Sequence, residues 1–425
     1  MSILLKNATY IDWKTLEFSK ANILIGQDNN SIQFIKNVDQ KVKKSKPEVI
    51  DCTGKLVTKS FAVGHHHAYS ALSRGMSAPK KNPGNFYEIL KYVWWILDKC
   101  LDPEMIESSA LVTAIACAKA GATFVIDHHA SPSYAYGSLE IIAKAFDKVG
   151  VSHLLCYEIS DRDGTEITRE GLYETESYLK NHQGLVGLHA SFTVSDNTLN
   201  QSVELMNRLD SGIHVHVAED QFDQVFCLRK YGKRVVERLN EHGVLKSSKT
   251  ILGHCLHLDE NEKDIIRNSP CWIVQNAESN MNNNVGRFNS EHLGSNIMLG
   301  TDGMHSDMLQ SAKAAFFAGQ GFDTISYNSA YQRFRNVHRY LSENNFKGDG
   351  ENNLVVLDYN TPTEINQSNF YGHFIFGINS NHVCDVISNG RLIVKNRQIQ
   401  TVNEAEILKV SKKCANRLWK KMQVS

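Results

Sequence analysis

One apolar run decides the fold: LVTKSFAVGHHH, residues 56–67, which ends in three consecutive histidines. Side chains at positions i and i+2 of a strand point to the same side, so His65 and His67 converge while His66 points away. Two imidazoles that converge at the end of a strand form half of a metal site. Taken alone, the pair supports a metal site and an ordinary polar cluster equally, so the rest of the chain has to decide.

The same kind of apolar run recurs along the chain. Amphipathic stretches or long loops separate seven further runs, at residues 123–126, 152–157, 185–189, 213–217, 250–254, 272–275 and 296–300. Alternating strand and helix units predict a parallel sheet, and eight of them predict a closed (β/α)8 TIM barrel. Such barrels carry their active sites at the C-terminal ends of the strands, where several of these runs end in His or Asp.

The two ends of the chain have a different pattern, with short β-like runs separated by polar turns. We expect residues 1–56 and 351–425 to fold together into a small β-sandwich domain beside a barrel at residues 57–350. The C-terminal part contains a run at residues 373–376 that we expect to be a strand. It also contains a final basic helix from residue 404 to about residue 422.

Composition narrows the class of protein. The chain has 425 residues, of which 42% are hydrophobic and 22% charged, and its formal net charge is +0. A neutral chain has no field that attracts nucleic acid or an anionic membrane, so neither is expected as a partner. Its nine Cys form no C-x-x-C pair, and the N-terminus lacks the features of a signal peptide. We therefore expect reduced thiols and a cytoplasmic protein.

Two later runs supply the other half of the metal site. His216 ends the fifth run and Glu219 follows in the spacing H-x-x-E, close enough to lie beside a bound ion. His214 shares the strand face and competes as a ligand. Asp302 follows the eighth run, where a buried carboxylate is costly unless it is paired or bound to metal. His65, His67, His216 and Asp302 therefore predict one divalent ion, with zinc favoured and iron or manganese as alternatives.

The order H-x-H, H-x-x-E, H and D on strands one, five, six and eight resembles the amidohydrolase superfamily. It is most similar to the mononuclear aminohydrolase branch, which contains cytosine, guanine and S-adenosylhomocysteine deaminases and the triazine hydrolases. Several stretches resemble the aminohydrolases called SsnA: HAYSALSRGM at 67–76, DHHASP at 127–132, HASFTVSD at 189–196, ESNMNN at 278–283 and GTDGM at 300–304. This family usually has Pro-Gly where this chain has Lys59-Ser60, and Asn-Pro where it has Asn276-Ala277.

The resemblance also implies roles. Asp302 binds the metal and accepts the proton of a metal-bound water, His254 orients the resulting hydroxide, and Glu219 protonates a ring nitrogen of the substrate. Binuclear relatives have a carboxylated lysine where this chain has His189, which argues for one metal and a substrate contact at His189. Arg162 is a further candidate for binding substrate, although a solvated loop charge explains it equally well, and Arg74 has the same ambiguity. The roles of His128 and His129 are left open.

The expected reaction is hydrolysis of a non-peptide carbon–nitrogen bond in a small purine-like or pyrimidine-like heterocycle, with deamination favoured. Two alternatives remain at this point. One is hydrolytic opening of a cyclic amide, since relatives with the same His-x-x-Glu element catalyse both reactions. The other is a catalytically silent barrel that binds a ligand. Family habit also suggests a homodimer or larger homo-oligomer.

Overall fold

The structure is a computed structural model that describes residues 2–26, 31–36 and 46–424. Residues 27–30 and 37–45 of the predicted N-terminal segment lie outside the described residues. The strands are β1 Ile3–Ile11, β2 Phe18–Ile25, β3 Ile32–Ile35, β4 Glu48–Asp51, β5 Leu56–Lys59, β6 Phe61–His66, β7 Ala122–His129, β8 Ser152–Ile159, β9 Val186–Ala190, β10 Ile213–Val217, β11 Ile251–His254, β12 Trp272–Gln275, β13 Ile297–Leu299, β14 Leu354–Leu357, β15 Val383–Ser388, β16 Arg391–Lys395 and β17 Gln398–Ile399.

The helices mostly follow the barrel strands and cover them. They are α1 Phe86–Ile89, α2 Trp95–Cys100, α3 Pro103–Lys119, α4 Ser138–Val149, α5 Thr165–Leu179, α6 Asp196–Arg208, α7 Gln221–Tyr231, α8 Val235–Glu241, α9 Glu260–Arg267, α10 Ala277–Asn282, α11 Met308–Gly319, α12 Tyr327–Glu343, α13 Phe370–Phe376 and α14 Glu404–Val424. Among the described helices, none combines the length and the apolar character that crossing a bilayer requires.

Strands β6 to β13 form the predicted barrel. They pair in sequence order, and every pairing between neighbours is parallel. A bridge between His66 and Asp302 joins the first strand to the residues after the last, and Thr301 N donates to His65 O at 2.9 Å. The strands are buried along most of their lengths, as expected for a parallel sheet covered by helices. The predicted (β/α)8 barrel is confirmed.

The two chain ends share a second sheet, as predicted. Its order is β17-β16-β15-β14-β5-β1-β2-β3, with β4 beside β1, and the antiparallel pairing of β5 with β14 joins the two ends of the chain. Side chains from both ends, among them Ile23, Val57, Leu354 and Ile387, form a separate apolar core. The expected first barrel run, 56–64, is two strands, because β5 belongs to this outer sheet and only β6 to the barrel. The domain boundaries themselves stay a prediction.

The expected strand at residues 373–376 is wrong, because these residues belong to helix α13. Helical spacing places Phe370 and Phe374 on the same face of this helix. Phe374 packs against Phe334 of α12 with ring centroids 5.1 Å apart, and Phe370 packs against Tyr331 at 5.5 Å. The aromatic residues that suggested a strand are instead the buried face of a helix.

The helical segment at residues 86–100, which comes between β6 and α3, is not uniform. Asn85 caps α1 by accepting a hydrogen bond from Glu88 N, a π-helical turn follows at Leu90–Trp94, and α2 continues the segment to Cys100. Single π turns inside α-helices are often found at functional sites. This segment lies over the C-terminal mouth of the barrel, where it supplies one wall of the pocket described below.

A polar cluster lies at the other end of the barrel, just before β6. We call Lys59, Arg335, His338 and Asp349 the basal cluster. Lys59 Nζ lies 3.0 Å from Asp349 Oδ1, His338 Nδ1 lies 2.8 Å from Asp349 Oδ2, and Arg335 Nη1 donates to Ser60 O at 2.8 Å. Its charged groups are thus paired within the chain.

Candidate metal centre

The four predicted metal ligands converge at the C-terminal mouth of the barrel. His65 is the second-last residue of β6 and His67 follows that strand, His216 lies in β10, and Asp302 follows β13. Asp302 Oδ1 lies 3.1 Å from His67 Nε2 and 3.5 Å from His65 Nε2, and His216 Nε2 lies 3.3 Å from His67 Nε2. All four residues are buried, so these donor atoms face one another and not bulk water.

Each of the three imidazoles is oriented through its other nitrogen. His67 Nδ1 bonds to His128 O at 2.7 Å, and His216 Nδ1 bonds to His189 O at 2.8 Å. Because carbonyl oxygens only accept, both Nδ1 atoms carry a proton, and both Nε2 atoms are left to face the cluster. His65 differs, since its Nδ1 pairs with His214 Nε2 at 2.9 Å. His214, which the sequence left as a competing ligand, therefore orients His65.

This donor set fits a divalent metal ion. His65 Nε2 is buried and has no hydrogen-bond partner, which is unusual for a buried polar atom. Ligand atoms at the corners of a tetrahedron with bonds of about 2.1 Å lie about 3.4 Å apart. The separations of 3.1, 3.3 and 3.5 Å match that spacing. Imidazole nitrogens and one carboxylate oxygen are also the donors that zinc accepts.

The cluster attracts positive charge. Burial lowers the pKa of His65 to about 3, so its imidazole is neutral. Burial also opposes a charge on His67, but the hydrogen bond and the negative charge of Asp302 raise the pKa of that imidazole to about 9. Burial tends to raise the pKa of Asp302, but the neighbouring imidazoles of His65, His67 and His254 hold it well below its ordinary value. A cation is therefore stabilised where His67 and Asp302 meet.

Glu219, His254 and Asp302 form a second group beside the ligands. His254 Nε2 lies 3.6 Å from Glu219 Oε2 and 3.8 Å from Asp302 Oδ2, while its Nδ1 bonds to Asn280 Oδ1 at 2.7 Å. Burial and the nearby negative charge of Asp302 raise the pKa of Glu219 well above its ordinary value. The surroundings of Glu219 therefore favour the protonated form of its carboxyl group.

Unusual backbone conformations aim these side chains. His254 and Asp302 have positive φ angles of 67° and 52°, and Ala218, which directly precedes Glu219, has a φ of 46°. Left-handed backbone is costly for residues with a side chain, and it persists where the surrounding structure holds it in place. Three strands of the barrel therefore end in a strained turn that directs a polar side chain over the mouth.

The predicted substrate contact His189 also lies in the pocket. The Thr193 hydroxyl donates to Ala190 O at 3.1 Å, so its oxygen accepts from His189 Nδ1 at 2.8 Å. In a neutral imidazole this leaves Nε2 as an acceptor. Burial lowers the pKa of His189 to about 4, which keeps the ring neutral.

Arg162 lines the same pocket, but its nitrogens already face carboxylates. Its Nη2 donates to Asp98, its Nε donates to Asp163 Oδ2 at 3.1 Å, and its Nη1 lies 3.9 Å from Glu158 Oε1. The side chain is only 8% exposed, so Arg162 is not a solvated loop charge. Its predicted contact with substrate stays a prediction.

Sequence reasoning missed Glu158, a carboxylate of β8 that lines the pocket. Its side chain is 3% exposed and lies 3.3 Å from His128 Nδ1. Burial opposes its charge, but His189, His128 and Arg162 hold the pKa of Glu158 well below its ordinary value. The sequence does contain a pattern that indicates Glu158, because this residue follows an apolar run, as Asp302 does.

The residues with open roles do not line the pocket, although His128 lies beside His67 and His216. His128 is buried, and its Nε2 donates to Leu188 O and His214 O, both at 3.2 Å. His129 is also buried and pairs with Ser131 Oγ at 2.8 Å. Arg74 is exposed. The described wall opposite the metal ligands is instead aromatic and apolar, formed by Phe86, Leu90, Trp94 and Trp95 around a space of about 70 Å³.

Comparison with known proteins agrees with this geometry. The chain is 28% identical to a 5-methylthioadenosine/S-adenosylhomocysteine deaminase of Thermococcus sibiricus, over 93% of this chain and 94% of that protein. Its structure superposes on an adenosine deaminase from Xanthomonas campestris with bound zinc, with a TM-score of 0.82, 17% identity and 98% of each chain covered. It also superposes on E. coli guanine deaminase, with a TM-score of 0.75, 17% identity, and 93% and 99% of the two chains covered.

Fold and site together define a barrel hydrolase with a metal centre at the C-terminal ends of its strands. The sequence profile of the amidohydrolase family matches residues 61–342, from the first barrel strand to the end of α12. The chain therefore belongs to the amidohydrolase family, and the predicted membership is confirmed.

Proposed function

We propose that this protein is a metal-dependent aminohydrolase that deaminates a small nitrogen heterocycle. One observation carries the proposal: the carboxyl groups of Glu219 and Asp302 both face His254 Nε2, at 3.6 and 3.8 Å. Deamination of a cyclic amidine requires a proton donor for the ring nitrogen and a proton acceptor for water. The surroundings shift the two pKa values in the opposite directions that these tasks need, upward for Glu219 and downward for Asp302.

A divalent ion held by His65, His67, His216 and Asp302 would supply a Lewis acid that makes water nucleophilic at neutral pH. We propose one ion per chain, with zinc favoured over iron. The proposal for zinc is supported by the tetrahedral spacing of the donor atoms and by the bound zinc of the X. campestris adenosine deaminase. Binuclear relatives have a carboxylated lysine at the position that His189 occupies in this chain, which supports a single ion.

The protein groups would act in a fixed order. Asp302 takes a proton from the attacking water through Oδ2, the oxygen that faces His254. Glu219 gives its proton to the ring nitrogen next to the carbon under attack. His254, held by Asn280, keeps the water between the two carboxyl groups. The carbon–nitrogen bond to the amino group then breaks as Asp302 gives the proton it took to that group, which leaves as ammonia. Glu219 takes the remaining hydroxyl proton as the carbon becomes a carbonyl, so both carboxyl groups return to their starting states.

The shape of the pocket supports a flat substrate. Trp95 and Phe86 line the side opposite the metal ligands, and aromatic rings stack well on planar heterocycles. Relatives named as deaminases of 5-methylthioadenosine and S-adenosylhomocysteine support deamination over ring opening. Retention of Glu219, His254 and Asp302 argues against a silent barrel that only binds a ligand.

The proposal extends to the state of the protein in the cell. All nine cysteines are buried, and buried thiols without a disulfide framework support a reducing compartment such as the cytoplasm. We also propose a homodimer or larger homo-oligomer, following the habit of the family. Light scattering after size-exclusion chromatography would measure the mass of the assembly, and a single chain of 47.9 kDa would contradict it.

The decisive experiment measures ammonia release and ultraviolet absorbance together. Protein loaded separately with zinc and with ferrous iron is incubated with purines, pyrimidines, pterins and hydantoins, and the Asp302→Asn variant serves as the control. We expect ammonia from at least one aminated heterocycle, with the ring spectrum shifted but not lost, and none from the variant. Loss of ring absorbance without ammonia would favour opening of a cyclic amide. Inactivity with both metals, in protein that holds one ion per chain, would contradict the proposal.

A further inference from the structure

One wall of the pocket carries two side chains that can accept hydrogen bonds from a substrate. Glu158 and His189 lie on the neighbouring strands β8 and β9, and a ring nitrogen of His189 lies within 4.8 Å of a carboxylate oxygen of Glu158. Glu158 is a carboxylate, and His189 presents Nε2 because its Nδ1 donates to Thr193. Neighbouring N–H groups of one ring system can reach two acceptors at this spacing.

The cation on this wall is already neutralised. Arg162 stands among Asp98, Asp163 and Glu158, and each of its three nitrogens faces one of these carboxylates. Its Nη1 atom is buried and makes no hydrogen bond within the chain, and Glu158 Oε1 lies 3.9 Å from it. A second cation, Lys99, pairs with Asp163 at 2.5 Å. Two cations therefore face three carboxylates, so an anionic substituent beside Glu158 would add to an excess of negative charge.

We propose that Glu158 and His189 select a planar heterocycle by accepting hydrogen bonds from its N–H groups, and that Arg162 holds Glu158 in place instead of binding a substrate anion. This inference rests on the proposed function and narrows its substrate class. The substrate presents ring or exocyclic N–H donors beside the carbon that loses ammonia, and it carries no carboxylate near that edge. Glu158 is then a residue that determines specificity, and Arg162 is a positioning residue.

The support that Glu158 receives fits this role. A buried carboxylate remains ionised only when partners stabilise it, and here Arg162 and His128 do so from behind while the carboxylate reaches the pocket. Trp95 covers the guanidinium of Arg162, with the Cζ atom 5.3 Å from the ring centroid. The same tryptophan lines the pocket, so one residue both shields the ion pair and faces the ring of the substrate.

Binding of deamination products tests the inference without turnover. Uracil and xanthine carry no amino group to lose, and each exists with one ring N–H replaced by N–CH3. Orotate is uracil with a ring carboxylate. Calorimetric titration of the metal-loaded protein measures the dissociation constants of uracil, 1-methyluracil, 3-methyluracil, orotate, and xanthine with its 1-, 3- and 7-methyl derivatives. We expect at least one methylation, and the carboxylate of orotate, to weaken binding by about 10- to 100-fold, the range for hydrogen bonds to charged groups.

The Glu158→Gln and Glu158→Asp variants separate hydrogen bonding from steric fit. If Glu158 accepts the N–H, Glu158→Gln reduces the preference for N–H over N–CH3 to within about threefold, whereas a steric clash would persist in this variant. Asp98→Asn is the matched control, because Asp98 pairs with the same guanidinium but does not line the pocket. We expect it to leave the N–H preference unchanged, and Glu158→Asp to retain part of it. Thermal unfolding and metal content verify that each variant is folded.

Several outcomes would overturn the inference. These are equal binding of every methylated and unmethylated pair, tighter binding of orotate than of uracil, an N–H preference that survives Glu158→Gln, or no binding of either ring system. Failure of the proposed function looks different, because the products would then bind with the expected preference while no aminated heterocycle releases ammonia. Conversely, ammonia release without the N–H preference would support the aminohydrolase activity and contradict only the role of Glu158 in substrate specificity.

Discussion

The two ends of the barrel each bury a cluster of charged side chains, and the clusters differ in how their polar atoms are used. In the basal cluster, Lys59, His338 and Arg335 all point at acceptors of the chain itself, and Asp349 links two of them. At the opposite mouth, nitrogens of His65, His67 and His216 point at one another and at a single carboxylate.

The difference teaches how to distinguish buried polar groups that serve the fold from those that serve a ligand. Burial alone does not separate them, since both clusters are removed from water. The separating feature is a set of donor atoms that converge on one point and need a partner the chain does not supply. The basal cluster should therefore control stability, and the cluster at the mouth should control metal binding and catalysis.

The largest expected effect is that of Asp302→Asn on turnover. Removing the carboxylate takes away a metal ligand and the proton acceptor together, so we expect kcat to fall by about 10³-fold or more. The melting temperature should change by only a few degrees. Steady-state ammonia release tests the expected fall in kcat, and thermal unfolding of the same preparation tests the nearly unchanged melting temperature. A variant that keeps its activity, or that unfolds at room temperature, would contradict the view that the cluster at the mouth serves catalysis and the basal cluster serves stability.

The matching change in the basal cluster is Asp349→Asn. It leaves the buried ammonium of Lys59 without its anionic partner, and breaking a buried pair in this way costs about 3 kcal/mol or more of unfolding free energy. The melting temperature should fall clearly, while kcat of the folded fraction stays close to that of the parent. A loss of kcat at temperatures where the variant is fully folded would contradict the division of roles.

A smaller effect is expected for His214→Gln. His214 orients His65 through Nδ1, whereas backbone carbonyls orient the other two imidazoles, so His65 is the ligand that a side-chain substitution can misalign. Loss of such an outer partner lowers metal affinity by about 10- to 100-fold. Competition with a zinc chelator measures the change. The matched control is His129→Gln, a buried histidine paired with Ser131, which should keep the affinity of the parent.

The smallest effect is on the acid stability of the basal cluster. Burial tends to raise the pKa of Asp349, but His338 and Lys59 hold it below the ordinary value of 3.8. A carboxylate with a lowered pKa adds stability above the unfolded value, and this stability is lost as pH falls from 3.8 through the folded pKa. One linked proton contributes at most about 1.4 kcal/mol per pH unit.

The parent should accordingly lose melting temperature more steeply than Asp349→Asn when both are acidified from pH 5 to pH 3. Calorimetric scans at half-unit intervals provide the two slopes. Parallel slopes would show that the carboxylate does not titrate in the basal cluster.

The sequence predicts the barrel and its metal ligands because both depend on local spacing. Alternation along a strand orients His65 and His67, and a polar residue after an apolar run marks a strand end. Contacts between distant segments leave no such trace. Examples are the hydrogen bond that His254 donates to Asn280, and the sorting of β5 and β6 into different sheets. The helix around Phe374 was misread because aromatic residues suit a strand as well as a buried helix face.

The bridge between His66 and Asp302 has a consequence for biosynthesis. It closes the barrel by joining its first strand to the residues after its last, so the metal site lies on the seam of the barrel. A chain that is still being translated has His65 and His67 long before it has Asp302. The ligand set is therefore complete only when nearly the whole barrel has left the ribosome, and a metal ion captured earlier would be held by fewer donors and exchange more readily.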